Sequence, residues 1–157
     1  HGASSALCVD SSGAALEAVQ RNAEASGVGD RVSVLDADAF DACRQLRDAG
    51  ERFDVVVVDP PAFIKRKKDA EAGTLAYRRI NEAALKLVND GGLIVSCSCS
   101  HHFSADALLD ALNRAACALG VRLRVLRRLA QSADHPIHPG MPETEYLKGF
   151  LAEVRRP

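Results

Sequence analysis

A chain of 157 residues, nearly half of them apolar, is one domain of ordinary size with enough apolar side chains to bury a core. Its 20 Lys plus Arg balance 21 Asp plus Glu, which excludes a whole-chain electrostatic preference for nucleic acid and leaves only local basic clusters for that purpose. No stretch approaches the roughly 18 apolar residues of a membrane span. The five cysteines are an odd number, and Cys97 and Cys99 are too close for an unstrained disulfide between them, so a reducing cytoplasm is expected.

In chain order, Ser5 to Asp10 reads as a short strand ending in an acid. Ser12 is placed to cap a helix whose apolar positions Ala15, Leu16, Val19 and Ala23 fall at helical spacing before Gly27 ends it. Arg31 to Leu35 is a second strand, closing on Asp36-Ala37-Asp38-Ala39-Phe40, and a helix from about Asp41 to Ala49 follows. Phe53 to Asp59 carries a continuous valine run, the pattern of a parallel strand covered on both faces. A basic loop, Lys65 to Asp69, leads to a helix over Leu75 to Val88 that stops at Asn89-Asp90-Gly91-Gly92. The strand Gly92 to Ser100 holds Cys97 and Cys99, and Ser104 caps a helix over Ala105 to Leu119. Val121 to Ala130 and Tyr146 to Val154 are the last strands, joined by an irregular loop with Pro136, Pro139 and Pro142. The alternation predicts an α/β fold with a parallel, Rossmann-like sheet and a final strand that returns antiparallel.

Acids at three successive strand ends, Asp10, Asp38 and Asp59, lie where ligands bind in open α/β sheets. Asp10 there suits the hydroxyls of a ribose, and Asp38 suits an adenine amine with Ala39 and Phe40 beside the ring; helix capping is the plainer use of such acids taken singly. Pro60 and Pro61 stiffen the turn after Asp59 and hold its carboxylate, and Phe63 is placed to stack on a planar ligand. Cys99 is the candidate nucleophile. A thiolate adds to C6 of a pyrimidine and makes C5 electron-rich enough to take a methyl group, while Asp59 hydrogen-bonds the ring edge at N3 and the exocyclic amine. Against this stands the common role of a free cysteine as a small, inert core residue, which is the reading preferred for Cys97. A zinc site from Cys97, Cys99, His101 and His102 lacks the second ligand cluster that structural zinc requires, so no metal is expected. Lys65 to Lys68 and Arg122, Arg124, Arg127 and Arg128 are candidates for phosphate contacts, or ordinary solvated faces.

The runs Val9-Asp10-Ser11, Phe53 to Phe63, Gly92 to His102, Ala133-Asp134-His135-Pro136 and Tyr146 to Phe150 together resemble the cytosine-5 ribosomal RNA methyltransferases of the large-subunit methyltransferase I type. The resemblance covers almost the whole chain, although Asp-Pro-Pro alone also suits amino-group methyltransferases. It implies a class I methyltransferase fold, S-adenosylmethionine as cofactor and ribosomal RNA as substrate. It also implies a nucleophilic Cys99 working with Asp59, and a cofactor held by Asp10, Ser11, Asp38, Ala39, Asp59 and Pro60. A cytoplasmic location and no membrane partner follow, with a homodimer left open. Better-known RNA cytosine-5 enzymes carry a second Cys after the Pro of Asp-x-Pro-Cys; Ala62 stands there here.

Such enzymes open their catalytic domain with a strand and a glycine-rich loop around the methionine part of the cofactor. Nothing before Asp10 matches these, so residues 1–157 are expected to form a partial methyltransferase domain, with the missing strand belonging between those ending at Asp10 and Asp59. Two rivals remain open: methylation of an amino group at Asp59 without a covalent step, and a non-catalytic module that binds RNA or a partner.

Overall fold

The computed structural model describes residues 2–157 and places six strands and four α-helices among them. They are β1 (Ala6–Asp10), α1 (Gly13–Ala25), β2 (Val32–Asp36), α2 (Ala39–Asp48), β3 (Phe53–Val58), α3 (Ala70–Leu85), β4 (Val88–Ser98), α4 (Ala105–Ala118), β5 (Arg122–Leu129) and β6 (Lys148–Arg155). The chain divides between Ala49 and Gly50 into two compact units.

In the first unit β1 and β2 pair in parallel from Ala6 opposite Val32 to Asp10 opposite Asp36. A parallel pair needs a crossover, and α1 supplies it. Ser12 starts α1 by accepting a hydrogen bond from the Ala15 amide, and Leu16 and Ala23, seven residues apart, form its buried stripe. α2 begins at Ala39, two residues before the expected start, because the Asp38 carboxylate caps it.

The second unit is a four-stranded sheet in the order β3-β4-β6-β5. β3 and β4 are parallel, and β6 runs antiparallel to both β4 and β5, as the returning final strand requires. One face of the sheet, including Ile94, Phe150 and Ala152, is sealed by α3 and α4 through Tyr77, Ile80, Leu85, Leu108 and Leu112, all buried. Each such large apolar side chain contributes about 1.5–3 kcal/mol relative to an exposed one.

Three expectations are corrected. β3 is not covered on both faces: Val55 and Val57 are 52% and 64% exposed, and Val58 is the buried valine. The cause is the face: α3 and α4 cover the side of the sheet that carries Val58, Ile94 and Ser96, while Val55 and Val57, paired with Leu93 and Val95, alternate to the other side. α3 runs from Ala70 to Leu85 instead of Leu75 to Val88, starting early because Gly73 lets its first turns pack closely on Ile64. Finally, Asn89 to Gly92 do not separate helix from strand. They form an irregularity inside β4, where Val88 pairs with Phe53 but Leu93 pairs with Val55. Gly91 has φ +74°, and the Asn89 amide donates to Asp54 at 2.8 Å. The loop between β5 and β6 contains one short 3₁₀ turn, Pro142–Thr144. It is tied back by Gln131, whose amide oxygen accepts from Tyr146 N and Leu147 N.

Candidate active site

In the first unit the two acids stand at the carboxyl end of the parallel pair. Asp10 closes β1, and one of its carboxylate oxygens accepts the Ser12 amide at 2.8 Å, a short loop of chain that fixes the side chain. Asp38 does the same with the Phe40 amide at 2.8 Å. The Ala37 amide donates to the Asp10 carbonyl, joining the two strand ends. Asp10, Ser11, Asp38 and Ala39 are all exposed. Each acid is therefore a turn or helix cap, with one carboxylate oxygen committed to nearby backbone and its side chain fixed by that bond.

In the second unit β3 and β4 end side by side. Val57 is paired with Val95, so the alternation of a strand carries Asp59 and Cys97 to the same face one step further on. The electrostatics agree: burial, and then the Asp59 carboxylate, push the Cys97 thiol above its ordinary range. Cys97 is thereby held protonated, which disfavours it as a nucleophile. Cys99, beyond the end of the strand, approaches the Asp59-Pro60-Pro61 turn, with its sulfur 4.0 Å from the Pro60 carbonyl oxygen.

That approach is built by residues the sequence reading did not single out. Ser98 Oγ donates to Tyr77 Oη at 2.8 Å, Tyr77 Oη and Ser100 Oγ share a hydrogen bond of 2.9 Å, and Ser100 N donates to Ser98 Oγ at 3.1 Å. The Ile64 amide donates to Ser100 Oγ at 3.1 Å, so the loop after Pro61 is fastened to the loop after Cys99. Ser98, Ser100 and Tyr77 are fully buried, where each unmade hydrogen bond is costly, and the network fixes one geometry. The Tyr77 ring stacks on Phe103 at 4.6 Å and meets Phe63 edge-on at 4.9 Å. Phe63 is thus part of the same cluster, meeting Tyr77 edge-on. The available signal was the alternation Ser96-Cys97-Ser98-Cys99-Ser100, which places serines on the buried face and cysteines on the other.

Among the remaining candidates, His101 and His102 are exposed, with rings 5.1 Å apart. Lys65 to Lys68 lie in an exposed loop. The four β5 arginines are exposed as well. Arg124 is paired with Glu153 at 2.9 Å and Arg128 with Asp106 at 3.2 Å.

Residues 1–147 match the model of a protein family described as S-adenosylmethionine-dependent methyltransferase. The chain belongs to that family. This methyltransferase is 38% identical over 154 residues to the ribosomal RNA large subunit methyltransferase I of Shewanella amazonensis, and 34% identical to that of Escherichia coli. In both cases the match takes in 98% of this chain and 39% of the relative, so the chain spans about two fifths of their length. Among solved structures, SMU.776 complexed with SAH superposes with a TM-score of 0.83 at 18% identity, covering 98% of the methyltransferase and 40% of that chain. NSun6 from Pyrococcus horikoshii, with SFG, gives 0.62 at 20% identity over 97% of the methyltransferase and 41% of that chain. These likenesses establish the fold.

The family's cofactor is S-adenosylmethionine, and the donor set of the first unit fits its nucleoside. Two exposed carboxylates at adjacent strand ends, each fixed by a backbone amide, suit a diol and an amine as hydrogen-bond donors.

Proposed function

We propose that this methyltransferase modifies C5 of a cytosine in large-subunit ribosomal RNA through a covalent adduct at Cys99. The carrying observation is the placement of the Cys99 sulfur against the Pro60 carbonyl, on loops locked together by the Ser98–Tyr77–Ser100 network. The ribosomal RNA substrate is inferred from the names of relatives at 34–38% identity.

Asp10 and Ser11 would hold the ribose side of the cofactor and Asp38 and Ala39 its adenine, while Asp59 and Pro60 stand on the turn after β3 in the second unit. When bound, the cofactor supplies an electrophilic methyl group. The target base is presented outside a stack, in single-stranded RNA or flipped from a duplex. Asp59 hydrogen-bonds the cytosine at N3 and the exocyclic amine and draws electron density from the ring. The Cys99 thiolate forms a bond to C6, and the C5–C6 π pair moves onto C5. C5, made electron-rich by that addition, would be the acceptor for the methyl group that the cofactor supplies. Loss of the C5 proton to a base then expels the thiolate and restores the double bond. The basic loop Lys65 to Lys68 and the β5 arginines supply phosphate contacts.

The test is trapping. RNA containing 5-fluorocytosine should form a stable adduct with the complete enzyme, because fluorine at C5 does not leave as a proton. Cys99→Ala should abolish adduct and turnover, while Cys97→Ala keeps measurable activity. Full activity in Cys99→Ala with the methyl on the exocyclic nitrogen would establish the amino-group reaction at Asp59 instead. RNA binding with neither adduct nor methyl transfer would establish a non-catalytic module.

A further inference from the structure

Lys148, the first residue of β6, pairs with Ser98 of β4 and is only half-exposed. Its Nζ donates to two backbone carbonyls, Ser100 O and Phe103 O, each at 2.6 Å. Both carbonyls belong to the short turn that leaves Cys99 and enters α4. Two of the three donors of the ammonium are thus spent on that turn. No carboxylate pairs with Lys148 among the described residues, unlike the buried-side Glu153 of the same strand, which is flanked by Arg124 and Arg155. A partly buried cation held only by carbonyl dipoles is further favoured by a nearby negative charge. Burial lowers the Lys148 pKa, and the opposing influence is the Cys99 sulfur.

We propose that Lys148 is the positioning residue of the nucleophile: it clamps the Ser100–Phe103 turn and keeps a positive charge beside the sulfur that must become negative. This rests on the reading of Cys99 as the nucleophile. Its chemistry is that of an ion pair formed on demand, in which the ammonium already in place stabilises the thiolate as the S–H proton departs to solvent and again when the thiolate is expelled from C6. The two carbonyl bonds aim the charge, so no side-chain reorganisation is required at the moment of reaction. The other titratable groups around this thiol include Asp59 at the end of β3, Tyr77 of α3, Cys97 on β4, and His101 and His102 in the turn. All remain in place in the variants below.

Cys99 alkylation by iodoacetamide, followed by peptide mass spectrometry on the complete protein, reads this directly and needs neither RNA nor cofactor. Lys148→Met removes clamp and charge, Lys148→Gln keeps a donor without the charge, and Lys148→Arg keeps the charge. At neutral pH, Met and Gln should slow Cys99 alkylation by about 3–10-fold and move its pH profile upward, while Arg stays within about twofold of the parent. Exposed Cys117 should react at an unchanged rate in all of them, which reports an intact fold and unchanged reagent chemistry. A Gln variant with the parent's rate and pH profile, or an Arg variant as slow as Gln, overturns the proposal and leaves Lys148 as a loop tie. Should Lys148→Met fail to fold, the contrast between Gln and Arg decides. Failure of 5-fluorocytosine RNA to trap Cys99 would instead overturn the nucleophile assignment, whatever the alkylation rates.

Discussion

Cys97 and Cys99 are two residues apart and have different surroundings: Cys97 feels the Asp59 carboxylate, whereas the Cys99 sulfur lies 4.0 Å from the Pro60 carbonyl oxygen. A raised thiol pKa means a smaller thiolate fraction near neutrality, so Cys97 should alkylate more slowly than exposed Cys117 and catch up only as the pH climbs through its raised pKa. Asp59→Asn removes the second of the two influences on Cys97 and keeps the first, burial, so its alkylation should accelerate partially. An unchanged Cys97 rate in Asp59→Asn would show that burial alone controls it. In the first unit, Asp10→Ala should weaken S-adenosylmethionine binding to the complete enzyme by about 1–3 kcal/mol, through lost charge-assisted bonds to the ribose. Calorimetry measures this directly. An unchanged dissociation constant would reduce Asp10 to the turn holding Ser12 N.

At the level of elements, the site depends on how closely α3 approaches the loop after Pro61. A Cβ at Gly73 would collide with Ile64 Cγ1 and come within 3.0 Å of the Phe63 carbonyl oxygen. An exposed helical Gly→Ala change stabilises by about 1 kcal/mol. Here the overpacking, about 1–3 kcal/mol, opposes that gain and wins because the second obstacle is backbone. Gly73→Ala should therefore lower the melting temperature and displace Ile64 from its bond to Ser100 Oγ; a raised melting temperature would show that the loop yields freely. Tyr77→Phe keeps both ring contacts and deletes the hydroxyl that links Ser98 to Ser100, at a cost of about 1–3 kcal/mol for the buried donor left unmatched. It should lower turnover while leaving cofactor affinity nearly unchanged, because Tyr77 braces the segment that carries Cys99 and not the first-unit acids. Equal loss in both quantities would mean general destabilisation.

Across the whole chain, the two units bury very different amounts of apolar surface. Leu16, Ala23 and Ala42 are the buried apolar residues of the first unit; the second holds Tyr77, Phe150, Leu85, Ile94, Leu108, Leu112 and others. β4 and β6 are each paired on both sides, whereas β1 and β2 have only each other. Local opening is easiest where few apolar contacts must break. Amide hydrogen exchange should accordingly be slowest in β4 and β6 and markedly faster in β1 and β2. Uniform protection of all four strands would mean that the units open as one. Addition of S-adenosylmethionine to the complete enzyme should slow exchange around Asp10 and Asp38 by mass action.

Local patterning by itself determined most of the elements: caps at Ser12 and Ser104, the helical stripe of α1, the valine run of β3 and the returning β6 all depend on interactions within a few residues or on a strong period. The candidate residues Asp10, Asp38, Asp59 and Cys99 were legible for the same reason, since each marks a strand end. What the tertiary structure decided was which surfaces meet. The valine run looked buried, yet Val55 and Val57 stand on the side of the sheet away from α3 and α4, because coverage is a property of neighbours and not of the strand. Asn89 to Gly92 carry a turn signature and sit inside β4, because pairing to β3 absorbs the turn as an irregularity. Tyr77 and Lys148 gave no local signal, since their side-chain partners lie 21 to 48 residues away along the chain. Only the packing of α3 and β6 against the end of β4 brings them around Cys99.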